Sequence, residues 1–142
     1  MSRIGRRALI VGLAVTASVV MVGCGGSSQS ALRSPTVQDI SENELQTLMD
    51  NSEPLVVLDV RTPEEFEAGH IPGSVHIPLD QLADRAGELD PNVPVACVCA
   101  SGFRSVQAAE ILVAEGFPTV LNLEGGLRHW NGDWEPDCPV CG

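Results

Sequence analysis

The sequence predicts an α/β fold, a small parallel sheet with helices on both faces. Two short apolar runs, Leu55–Val60 and Val93–Val98, lack polar alternation, which is the character of strands buried on both sides. Stretches with apolar residues at helical spacing separate the strand candidates, and strands alternating with helices build parallel sheets. The roughly 105 residues from Thr36 onward suit one domain with one core. Ligands of such sheets bind beyond the carboxyl ends of the strands.

Each element has a local cause. Ser41-x-x-Glu44 is a capping box that opens a helix with Leu45, Leu48 and Met49 on one face. Pro54 ends it, and Leu55–Val60 follows as a strand. Thr62-Pro63-Glu64-Glu65 supplies a cap, a proline at the first helical position and an acidic first turn, so a short helix starts there with Phe66 as its core anchor. Val75–Ile77 reads as a strand between Gly73 and Pro78. Leu79–Leu89 is a helix carrying Leu79, Leu82, Ala83 and Ala86 inward. Val93–Val98 is the central strand, and Ser105–Glu115 a helix with Gly116 as its C-terminal cap. Thr119–Leu123 is a further strand; Gly125-Gly126 then turns the chain into a short helix with Leu127 and Trp130.

The central strand delivers Cys99-Ala100-Ser101-Gly102-Phe103-Arg104. A cysteine leaving a strand, a short turn with Gly and then a helix start aim several backbone N–H groups at one point. A sulfur there feels unpaired donors and the positive end of a helix, both of which favour thiolate over thiol. Arg104 adds a positive charge suited to an oxyanion. Cys97 lies two residues earlier and faces the same side of the strand. It reads as a small apolar residue, with a resolving thiol as the alternative. Asp59 and Arg61, at a strand end, read as a pair that holds neighbouring loops. His70, His76 and His129 have no partner at a spacing that makes a Cys–His pair, so no general base is assigned.

Here the chain resembles the rhodanese (sulfurtransferase) family in its single-domain form, over roughly Thr36 to Pro136. The matching text runs from Val57-Leu58-Asp59-Val60-Arg61-Thr62-Pro63-Glu64-Glu65-Phe66 to Gly69-His70-Ile71-Pro72-Gly73-Ser74. It continues through Cys99 to Ser105 and closes on Gly125-Gly126-Leu127-Arg128-His129-Trp130. The resemblance implies a rhodanese-like sheet with the active-site loop after the central strand. It also implies that Cys99 accepts a sulfane sulfur as a persulfide and passes it to a thiophilic acceptor. Ala100, Ser101, Gly102, Phe103, Arg104 and Ser105 would form the substrate cradle, with no cofactor. Dual-specificity phosphatases of similar fold carry Cys-x5-Arg, a wider ring shaped for phosphate. The spacing here is Cys99-x4-Arg104, as in the sulfur-transferring branch. The expected partners are a small sulfur-donor anion such as thiosulfate and a thiol or cyanide acceptor. Two other classes remain open: an extracytoplasmic thiol-redox or persulfide carrier using Cys138 and Cys141, and a non-catalytic rhodanese-like binding module. An intact Cys99 and Arg104 argue against the last.

Residues 1–23 read as a bacterial lipoprotein signal peptide: Arg3, Arg6 and Arg7, the apolar Ala8–Val20, then Met21-Val22-Gly23-Cys24. The apolar stretch is shorter than the ~20 residues a spanning helix needs. The expectation is export, cleavage before Cys24, lipidation of Cys24 and attachment to the cell membrane on its extracytoplasmic side. Residues 24–35 read as a flexible Gly/Ser tether, 36–136 as the domain and 137–142 as a tail. In that tail Cys138-Pro139-Val140-Cys141 is expected to form a small disulfide in an oxidising compartment. A zinc site needs about four ligands, and no second Cys-x-x-Cys exists, so no metal is assigned. All 19 acidic residues and only five of the eight arginines follow residue 24, and there is no lysine. The expected mature chain is therefore strongly anionic, which argues against nucleic acid as a partner.

Overall fold

The computed structural model describes residues 36–135. Five strands form one all-parallel sheet: β1 (Thr36–Ile40), β2 (Val56–Asp59), β3 (Val75–His76), β4 (Val95–Val98) and β5 (Thr119–Leu123), in the order β1-β5-β4-β2-β3. The expected α/β architecture is thus present, with β4 at the centre. Four helices connect the strands: α1 (Glu42–Asp50), α2 (Pro63–Glu67), α3 (Leu79–Arg85) and α4 (Phe103–Ala114).

Residues alternate across a strand, so β4 feeds two cores. Val95, Cys97 and Cys99 pack on one face with Leu58, Leu82 of α3 and Ala108 and Leu112 of α4. Ala96 and Val98 pack on the other with Leu45 of α1, Ile71, Leu127 and Trp130. Every residue of β4 is buried, as the absence of polar alternation requires. Both capping boxes form: Ser41 Oγ accepts from Glu44 N, and Thr62 Oγ1 accepts from Glu65 N. Pro63 takes the first turn of α2.

Four local expectations are corrected. β1 was unexpected, because Thr-Val-Gln-Asp-Ile is mostly polar and exposed. Its pairing with β5, Thr36 with Thr119 through Ile40 with Leu123, makes it an edge strand. The helix expected over Leu79–Leu89 stops at Arg85 and closes in a 3-10 turn, Ala86–Glu88, and Ala83 is exposed. Helix α4 begins two residues before Ser105, because Gly102 at φ +86° provides its N-terminal cap. Phe66 is half-buried and lies outside both cores. Its ring stacks between His70, at 3.8 Å between centroids, and His76, at 4.3 Å. Helix α2 is only five residues long, so its one aromatic ring packs on His70 of the following loop and His76 of β3 instead.

Asp59 and Arg61 do form the expected pair. Arg61 donates from Nη2 to Asp59 Oδ2 at 2.7 Å and to the Gly69 carbonyl at 2.7 Å, and both residues are buried. His76 donates from Nε2 to the Arg61 carbonyl at 2.9 Å. The pair thereby ties the end of β2 to the loop before β3. Removing one member of a buried pair strands the other charge in the interior. Asp59→Ala should therefore lose about 3–5 kcal/mol of stability in urea unfolding. A loss below about 1 kcal/mol would show that Arg61 finds water instead.

Candidate active site

The loop from Cys99 to Gly102 joins the carboxyl end of β4 to the amino end of α4. The carbonyls of Cys99 and Ala100 are taken up by a second tight turn. Leu127 N donates to Cys99 O at 2.7 Å, and Arg128 N to Ala100 O at 3.1 Å. That turn requires glycine, since Gly125 and Gly126 have φ +76° and +64°. At Gly126 a Cβ would stand 2.6 Å from the amide nitrogens of both Ser101 and Gly102. Two backbones thus approach at a distance no side chain permits.

With those two carbonyls engaged, the loop and the first turn of α4 aim N–H groups at the sulfur. Gly102 N donates to Cys99 Sγ at 3.2 Å and Ser105 N at 3.3 Å. Ser105 Oγ lies 3.5 Å from Sγ and 3.1 Å from the Gly102 carbonyl; beside the thiol it accepts from Sγ and donates to that carbonyl, and beside the thiolate its one hydrogen turns to the sulfur. Burial is the largest single influence on the Cys99 thiol and raises its pKa. The Ser105 hydroxyl and the amides of Ser101, Ser105 and Gly102 together outweigh it, so the pKa lies below the ordinary cysteine value. Cys97 has the burial without the donors. Burial, with a lesser push from Cys99, raises its thiol to about 12, so it carries no thiolate near neutrality.

Arg104 is not a free charge. Its guanidinium grips Glu65 in a two-pronged pair, Nη1 to Oε2 at 2.6 Å and Nη2 to Oε1 at 2.8 Å. Glu65 also accepts from Thr62 N at 3.0 Å. The Arg104 hydrogen bonds are the largest influence on Glu65 and bring its pKa down to about 2. Glu65 was read in the sequence only as part of the acidic first turn of α2; its role across 39 residues of separation has no local signal. Phe103 projects into solvent at 73% exposure. Arg104 and Arg61 line a groove on one side of the loop, with Pro63, Pro78 and Leu79. Ser101, Gly102 and Phe103 line another on the opposite side. Among the described residues, no three His, Cys, Asp or Glu side chains cluster as metal ligands, and no helix is long and apolar enough to cross a membrane. Cys24, Cys138 and Cys141 lie outside the described residues.

Residues 41–133 match the rhodanese-like domain family, and the chain belongs to it. Thiosulfate sulfurtransferase GlpE of Pseudomonas aeruginosa is 35% identical over 104 residues, covering 73% of this chain and 93% of that protein. The Bacillus subtilis protein YrkF, named as a candidate sulfur carrier, is 40% identical over 110 residues. That match covers 78% of this chain, which spans only 60% of YrkF. Among solved structures, the rhodanese-like domain protein of Staphylococcus aureus superposes with a TM-score of 0.65 at 35% identity, covering 69% of this chain and 96% of that one.

The Ser105 hydroxyl is the largest of the influences that lower the Cys99 pKa. A group that stabilises thiolate extends its population to lower pH, so Ser105→Ala should move the midpoint of Cys99 alkylation upward in pH. Iodoacetamide labelling followed by mass spectrometry at a series of pH values gives the midpoint. Cys97 should stay unlabelled in the folded protein throughout. An unchanged midpoint would assign the acidity to the amides alone.

Proposed function

We propose that the chain is a sulfurtransferase that moves a sulfane sulfur from an anionic donor such as thiosulfate to a thiophilic acceptor through a persulfide on Cys99. The observation that carries this reading is the convergence of backbone N–H groups on one sulfur at the carboxyl end of the central strand. The names of the relatives support it at the level of the reaction class.

In the proposed reaction the Cys99 thiolate attacks the outer sulfur of thiosulfate. The sulfur–sulfur bond of the donor breaks, and sulfite leaves with its electron pair. The acceptor, a thiolate or cyanide, then attacks the terminal sulfur of the persulfide, and Cys99 departs as thiolate. Each intermediate places negative charge on sulfur inside the amide ring, which is fixed before the reaction begins. Arg104 binds the oxyanion head of the donor, with Glu65 holding the planar guanidinium in one orientation. No step requires a cofactor.

Cys99→Ser should abolish thiosulfate-to-cyanide transfer while the domain stays folded, because an alcohol there is far harder to ionise. More than about a tenth of the rate, with Cys97 intact, would place the nucleophile elsewhere. Arg104→Ala should lower catalytic efficiency with thiosulfate about ten- to a hundredfold, as loss of a charge-assisted contact of ~1.5–3 kcal/mol allows. An equal loss with an uncharged persulfide donor would make Arg104 a loop-structuring residue.

We further propose that the domain is exported and held at the membrane by lipid on Cys24, with residues 24–35 as its tether. The Arg-rich start, the short apolar stretch and Met21-Val22-Gly23-Cys24 support this. Cys24→Ala should release the protein from the membrane fraction. Tight membrane association of that variant after confirmed signal cleavage would refute the lipid anchor.

A further inference from the structure

The active loop has two unlike sides. Arg61 and Arg104 stand on one, each already paired with a carboxylate and with Glu64 and Asp80 in the same lining, so the oriented guanidinium of Arg104 rather than net charge is its anion-binding feature. The other is a cleft of about 570 Å³, within the usual range of ligand sites of about 300–1,000 Å³. Its floor includes Ser101 and Gly102 of the loop itself. Phe103 and Val106, one helical turn apart, form its apolar wall and are 73% and 38% exposed. A phenylalanine held in water four residues after the reactive cysteine is a surface with something to cover.

The rim of this cleft is acidic. Asp39, Glu110 and Glu124 line it, and none of them forms an ion pair among the described residues. Three of the four described arginines are paired elsewhere, with Asp59, Glu88 and Glu65. The fourth, Arg128, lines the neighbouring surface on the far side of Glu124, with His129 and Ser41. Asn122 adds an independent observation. It is 3% exposed, and its Nδ2 donates to Asp39 at 2.7 Å. Its Oδ1 is buried with no hydrogen-bond partner among the described residues. An unpartnered acceptor beneath the cleft lining favours an N–H or O–H from a ligand that reaches it.

We infer that this cleft docks the sulfur acceptor, and that the acceptor is a cysteine on a basic, partly apolar peptide segment of another protein. A cationic side chain answers the unpaired carboxylates, an apolar one covers Phe103 and Val106, and a peptide N–H answers Asn122 Oδ1. The acceptor thiol then meets the Cys99 persulfide from the side opposite the donor groove. This rests on the sulfur-transfer reading and specifies its second substrate.

The decisive probe is a fluorescent peptide, Arg-Leu-Ser-Arg, whose serine replaces the reacting cysteine, so that binding is read without turnover. It is compared with Glu-Leu-Ser-Glu. The basic peptide should bind at least about tenfold more tightly at low salt, with the difference shrinking as salt rises. Glu110→Lys with Glu124→Lys should weaken it about tenfold, whereas Asp50→Lys with Glu53→Lys, which changes net charge equally near the opposite end of the sheet, should change it less than about twofold. Equal binding of the two peptides, or equal loss in both double variants, overturns the docking site. Thiosulfate-to-cyanide transfer in the same preparations judges the reaction itself. Its absence in the unsubstituted protein would sink the sulfur-transfer reading, whatever the peptides do.

Discussion

The convergence of amide N–H groups on the Cys99 sulfur is the constraint around which the site is built. A short loop can turn its N–H groups inward only if its carbonyls find partners outward. Those partners are the amides of Leu127 and Arg128, offered by a turn that two glycines permit. The site is therefore a contact between two backbone turns, one after β4 and one after β5. Side chains enter mainly at its margin, as Ser105 beneath the sulfur and Arg104 at the mouth.

Cys97 and Cys99 isolate the effect of those donors within one chain. Both are buried, both pack on the same face of the sheet, and they lie two residues apart. Burial without donors raises one thiol, whereas burial with donors leaves the other lowered. Position relative to the strand end makes the difference, because only past the last strand pairing do the backbone amides become free to face a side chain.

The distribution of charge follows a similar economy. In a chain with 19 acidic residues and no lysine, three of the four described arginines take fixed partners. Arg61 closes the end of β2 onto the loop before β3, and Arg104 is aligned by Glu65 from α2. The carboxylates of one cleft are left without such partners, whereas both arginines of the other groove are paired and stand beside Glu64 and Asp80, so the two sides of the loop differ in charge pattern. That asymmetry is what separates a donor side from an acceptor side in the proposed reaction.

Capping boxes, the proline of α2, the two-sided burial of β2 and β4 and the strand–turn–helix around Cys99 were legible in the sequence, because each arises from residues within a few positions of one another. The Asp59–Arg61 pair was legible for the same reason. The polar edge strand β1 was not, since its support comes from pairing with β5 some 80 residues later. Nor were the grip of Glu65 on Arg104, the close backbone approach at Gly126 or the displacement of Phe66 onto two histidines. These depend on which loops the sheet brings to its carboxyl edge. The sequence by itself determined where a reactive sulfur sits and what begins and ends the elements around it. Tertiary structure alone decided what holds that loop from behind and what aligns Arg104 at its mouth, because hydrogen bonds and charges between distant segments exist only once the sheet order β1-β5-β4-β2-β3 has brought them together.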